Sequence, residues 1–211
     1  MTTTNKPKDR IASDFLSYLH ERVPSFVTTI VAKLKTSEYY DIDVTNLQAD
    51  HVCYRTESIQ QYTELVKALQ CSEASDSFIL LVESEIGGRP ISTFKLLQPI
   101  EIDSGNSLHR IDVVEIPSPK EGSPYDAGLE HIEFVIGDGK HNSPINDEVH
   151  ATALDAWMRR YPSVAWNTKA CHKECNPDVS FKMELCDYGK VSVKFHLMPL
   201  EAVIKFETGA I

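Results

Sequence analysis

The chain has 211 residues, 42% hydrophobic and 25% charged, and a net charge of −10 at pH 7. That balance excludes a disordered chain and suits one large domain or two small, mutually dependent modules around a sizeable core. The acidic excess argues against nucleic acid as a partner, since phosphate-backbone binding relies on clustered Lys and Arg. No apolar run approaches the roughly 18 residues a membrane helix needs, so no membrane partner is expected.

The start, MTTTNKPKDR, is polar and lacks the apolar centre of a signal peptide, which predicts a cytoplasmic protein. Ile11, Phe15, Leu16, Leu19 and Val23 share one helical stripe, and Phe26, Val27, Ile30, Val31 and Leu34 a second. Pro24 lies between them, so two short helices are expected. From residue 47 a strand is predicted over 49–55. A helix follows from Ser58, with Ile59, Tyr62, Leu65, Val66 and Leu69 at helical spacing. Strands are then expected over 78–83, 90–97 and 110–116, the first two joined at Gly87-Gly88.

The proline-rich stretch PSPKEGSPYDA reads as a linker, after which the order recurs. A strand is predicted over 129–136, then a polar loop over 137–146. Asn146-Asp147 can cap a helix carrying Val149, Ala153, Ala156, Trp157 and Tyr161. Further strands are expected over 164–169, 179–185 and 191–197, with a helical turn near 201–206. The predicted organisation is an N-terminal helical segment (1–46), a first module (47–117), a linker (118–127), and a second module with its tail (128–211).

The two modules open on the same phrase, acid–His–apolar: Asp50-His51-Val52 and, 80 residues later, Glu130-His131-Ile132. Ile132, Phe134 and Ile136 alternate as a buried strand face requires, which turns His131 and Glu133 to the opposite face. By the same parity His51, Cys53 and Arg55 share the non-core face of the first strand. In the last strand Ser192, Lys194 and His196 lie opposite Val191, Val193 and Phe195, and Thr93 and Lys95 lie opposite Phe94 and Leu96. Glu115 stands at the outgoing end of its strand, just before Pro117.

If each half curls round, these faces line a cleft holding His51, Glu115, His131 and His196. Imidazoles with a carboxylate suit a divalent metal ion: Zn, Ni, Mn or Fe(II). A single strand histidine is more often a hydrogen-bonded structural residue; the matched positions of His51 and His131 are what set this pair apart. Glu133 has three readings: the carboxylate ligand in place of Glu115, a general base, or a partner of Lys194. Glu130 is expected to face away. Arg55, Lys95 and Lys194 can neutralise an anionic substrate or form ordinary salt bridges. The cysteines (Cys53, Cys71, Cys171, Cys175, Cys186) are odd in number and irregularly spaced, which predicts reduced thiols. CHKEC lacks the paired second half of a structural zinc site and reads as a loop.

The runs ADHVCYR, IGGRPISTFKL, IDVVEIPSP, GLEHIEFVI and VSVKFH, in that order, resemble the YecM-like family of the vicinal oxygen chelate superfamily, which has the glyoxalase and bleomycin-resistance fold. The resemblance covers residues 48–205. It implies an α+β fold in which two βαβββ modules form a cupped mixed sheet with helices outside, preceded by the N-terminal helices. It further implies metal ligands from the first and last strand of each module: His51 and Glu115, then His131 and His196. The superfamily often has Glu where His196 stands. The function implied is a divalent-metal-binding enzyme acting on a small anionic molecule by isomerase, lyase or dioxygenase-like chemistry. The alternatives are a non-catalytic small-molecule or metal-binding protein on the same fold, or an interaction protein using its N-terminal helices.

Overall fold

The computed structural model describes residues 7–39, 41–71, 76–105, 107–122, 125–137 and 143–209. Parts of the linker and of the polar loop over 137–146 lie outside the described residues. The elements run α1 (Pro7–Leu34), β1 (Gln48–Arg55), α2 (Ile59–Leu69), β2 (Phe78–Glu85), β3 (Pro90–Asp103), β4 (Leu108–Pro117), β5 (Gly128–Val135), α3 (Glu148–Arg160), β6 (Asp178–Leu185), β7 (Gly189–His196) and α4 (Leu200–Thr208).

The expectation of two N-terminal helices is corrected: α1 is one helix of 28 residues with Pro24 inside it. Its apolar residues keep helical spacing straight across the proline, and Leu19, Val23, Phe26, Val27 and Ile30 are completely buried. Burial on that scale, about 1.5–3 kcal/mol per large side chain, outweighs the roughly 3 kcal/mol an internal proline costs. Ser58 caps α2 by accepting from the Gln61 N–H. Asp147 caps α3 by accepting from the N–H groups of Val149 and His150, as Asn146-Asp147 foretold.

Seven strands form one sheet in the order β2-β3-β4-β1-β5-β7-β6. The two first strands, β1 and β5, meet antiparallel at its centre. Each is flanked in parallel by the last strand of its own half, β4 beside β1 and β7 beside β5. The strand expected over 164–169 is absent. In its place stands a single bridge between Asn167 and Ser180, followed by a 3-10 turn over Lys169–His172. Trp166 is the reason: its ring packs on Phe181 and Phe195 and its indole N–H donates to the Tyr161 carbonyl, folding this segment onto the core instead of along the edge.

The core lies on one face of the sheet. Val52, Ile132, Phe134, Val193 and Phe195 are completely or almost completely buried there, with Trp157 of α3 against Phe195 and Phe15 of α1 against Phe78. The alternate residues face the other way, into a cavity of about 440 Å³ whose wall includes Leu200, Val203 and Glu207 of α4. Among the described residues, no helix is long and apolar enough to cross a membrane.

Candidate metal centre

At the centre of the β1–β5 ladder His51 lies opposite Glu133, Val52 opposite Ile132 and Cys53 opposite His131. The register shifts on both sides of this stretch. Ala49 faces Phe134 and Tyr54 faces Leu129, which leaves Asp50 on β1 and Glu130 on β5 as additional residues. Both are bulges, and a bulge re-aims side chains that regular pleating would send to the other face. Asp50 and Glu130 therefore join the histidines that follow them.

Each histidine is held by its preceding acid: His51 Nδ1 donates to Asp50 at 2.8 Å, and His131 Nδ1 donates to Glu130 at 2.8 Å. A carboxylate can only accept here, so Nδ1 of each ring is the donor and Nε2 is turned inward. Histidines that ligate metals are commonly oriented by such carboxylates. The supports differ behind the acids. Asp50 also accepts from the Leu200 backbone N–H at 2.9 Å, whereas Glu130 pairs with Arg55 at 3.2 Å, whose guanidinium stacks on the Tyr125 ring at 3.6 Å.

His196 is held differently. Its Nδ1 accepts from the Asn176 side-chain amide at 2.9 Å, and that amide nitrogen also donates to the Met198 carbonyl at 3.1 Å. The carbonyl fixes which way the Asn176 amide points, so the His196 hydrogen sits on Nε2. The three rings cluster, with centroids 6.0 Å apart for His51 and His131 and 6.2 Å for His51 and His196.

Glu133 lies in the middle. Its carboxylate is 2.6 Å from Lys194 Nζ, 3.2 Å from His131 Nε2, 3.4 Å from His51 Nε2 and 3.6 Å from His196 Nε2. Burial works against its charge, but Lys194 and His51 outweigh burial and hold it well below the usual carboxylate range. Burial likewise opposes a charged His51, yet Glu133 and the hydrogen bond to Asp50 push it up to about 9. Burial would raise Glu130 too, but the bond to His131 and the charge of Arg55 bring it down to about 2.

A donor set for a metal is present. One atom each from His51, Glu115 and His131 lies within 4.8 Å of the others, and the same holds for Asp50, His51 and His196. Nε2 of His51 is buried and makes no hydrogen bond, and the same holds for Nε2 of His196; buried polar atoms in a folded protein usually have a partner.

A model of the family described as YecM protein matches residues 16–207. The chain belongs to the YecM family. It is 28% identical over 204 residues to protein YecM of Escherichia coli (strain K12), covering 95% of this chain and 94% of that one. The solved structure of the structural-genomics protein EC4020 aligns over 98% of both chains with a TM-score of 0.59 and 24% identity, and so shares the fold. BphC, a halotolerant catechol dioxygenase, aligns over 72% of this chain and 42% of its own, with a TM-score of 0.34 and 11% identity.

In this YecM-family chain the structure brings His51, His131, His196, Glu115, Glu133 and Lys194 together. His131 Nε2 is 3.6 Å from Glu115 and 3.1 Å from Lys194 Nζ. Arg55 lines the cavity but is committed to Glu130 and Tyr125. Lys95 is not among the cavity-lining residues; its ammonium pairs with Glu201 of α4 at 2.5 Å. Glu130, expected to face away, faces in because of the bulge. Asp50 and Asn176 are supports that strand parity does not reveal. For the acids the signal was there, since each immediately precedes its histidine in both halves. Nothing marks Asn176, which arrives from a loop with a left-handed backbone (φ 42°).

Proposed function

We propose that the cavity binds a divalent metal ion through His51, His131 and Glu115, and that the chain is an enzyme of the vicinal oxygen chelate type acting on a small anionic molecule. The observation that carries this reading is the pair of bulges, each setting a carboxylate against Nδ1 of a histidine so that both Nε2 atoms face one cavity. Two imidazoles and a carboxylate suit Zn, Ni, Mn or Fe(II). When bound, such a cation supplies Lewis acidity toward a substrate oxygen. Lys194, with Arg89 and Lys173 on the cavity wall, supplies positive charge for an anionic group. Glu133 is the carboxylate placed to move a proton: its pairing with Lys194 keeps it deprotonated, the state from which a base begins. Isomerase, lyase and dioxygenase-like reactions all fit these parts.

The test is elemental analysis of protein purified without chelator, together with calorimetric titration of Zn, Mn, Ni and Fe(II). About one equivalent is expected in the wild type, with loss in His51→Ala and His131→Ala. A wild type that retains no more metal than the double variant would falsify the reading.

One feature favours a second reading, a binding protein without turnover. The charges that hold Glu133 so far down also weaken it as a base. Thermal stabilisation by small organic acids in excess chelator would support that reading against the metalloenzyme.

A further inference from the structure

Resting on the metal reading above, we infer that Lys194 occupies the position of a fourth ligand, so that its ammonium competes with the metal and holds the centre to three protein ligands. The ladder at the centre of the sheet has a two-fold relation: the Val52–Ile132 pair is its midpoint, and His51 maps onto His131. Followed outward, Cys53 lies beside Glu115 on β4, and its counterpart Glu133 lies beside Lys194 on β7. One strand further out, Thr93 faces Glu115 and Ser180 faces Lys194. Lys194 is therefore the structural counterpart of the ligand Glu115. His196, two residues on, corresponds to Pro117, since Ile91 faces Pro117 and Asp178 faces His196.

Two further observations separate His196 from the ligand set. Its Nε2 carries the hydrogen, because Nδ1 accepts from Asn176, so it presents a donor where a metal needs a lone pair. It is also absent from the cavity lining, whereas Lys194 lines it. Lys194 Nζ meanwhile sits 3.1 Å from the inward Nε2 of His131 and 2.6 Å from Glu133. A cation that takes up His131 Nε2 must displace that ammonium, and the two positive charges repel. The displaced Nζ stays beside the metal as a positive group, where a second carboxylate ligand would cancel the charge of the metal and leave nothing to attract an anionic substrate.

Zn(II) titration by competition with a chromophoric chelator, and Co(II) absorption spectra, test this in the full chain. Lys194→Met should bind metal at least about tenfold more tightly than wild type. Lys194→Glu should bind more tightly again, with a metal-free form that melts lower and is restored by one equivalent, and with a changed Co(II) spectrum. His196→Ala should stay within about threefold of wild type, well short of the loss expected for a ligand. Lys194→Met binding no tighter than wild type overturns the inference, even if Lys194→Glu fails to fold. So does loss of metal in His196→Ala to the extent seen in His51→Ala. If wild type binds no metal the reading above fails. Metal uptake gained by a Lys194 variant then still upholds the inference, and no uptake in any variant overturns both.

Discussion

The first half of the sheet sets Cys53 beside Glu115, and the second sets Glu133 beside Lys194 at the corresponding places. The histidines and their supporting acids obey the internal symmetry, while these flanking residues break it. The symmetric part is what can grip a cation from two sides. The asymmetric part gives the second half a part-buried ion pair between Glu133 and Lys194, and the first half keeps a thiol that is completely buried.

The largest effect expected from that asymmetry falls on Glu133. Glu133→Gln removes the 2.6 Å partner of Lys194 and the counter-charge shared by three imidazoles. Breaking a buried pair by removing one member costs about 3–5 kcal/mol, because the other charge stays buried. Its counterpart Cys53→Ala should cost on the order of 1 kcal/mol, the usual scale for a point change. Urea unfolding of the metal-free proteins measures both, and equal losses would erase the distinction between the halves.

The site should respond to pH at both ends, with each half contributing a raised histidine. His51 is pushed up to about 9 from the usual 6.5. Its contribution to stability is thus complete below pH 6.5 and disappears as pH rises through 9. The loss is no more than about 3 kcal/mol. Glu130, brought down to about 2 from 4.5, contributes stability above pH 4.5 that is lost as pH falls toward 2. Melting temperatures of metal-free protein against pH should fall at both ends. His51→Gln should reduce the alkaline limb, which His131 shares, and Glu130→Gln the acid limb, which Glu133 shares.

Much of this site was legible in the sequence because strand parity is a short-range property. Alternation in LEHIEFVI placed His131 and Glu133 on one face, and the repeated acid–His phrase tied His51 to His131. Parity failed at Asp50 and Glu130 because a bulge changes the pleat by one residue, and neither position carries the glycine or proline that would announce it. The equivalence of Glu115 and Lys194 was hidden for another reason: it follows from ladder register between strands distant in the chain. Parity on the last strand put Lys194 and His196 on one face and could not say which of them corresponds to Glu115. At Pro24 local propensity signals a break, but burial of the helix on both sides of it overrides that signal.

The two bulged acids allow the symmetric part of the comparison to be tested directly. Asp50 is fixed by the Leu200 N–H, and Glu130 by Arg55, yet both make the same 2.8 Å bond to their histidine. If their shared work is to keep Nε2 unprotonated and aimed inward, Asp50→Asn and Glu130→Gln should each lower metal affinity about 10–100-fold, the scale for groups that orient a ligand. Their effects should match despite the different supports, since a backbone N–H and a stacked guanidinium both serve to hold a carboxylate in place. Titration of the same metal into both variants checks this. A hundredfold loss in one with no change in the other would mean that only one half of the sheet supplies a ligand, and that the repeated histidine of the other half is structural.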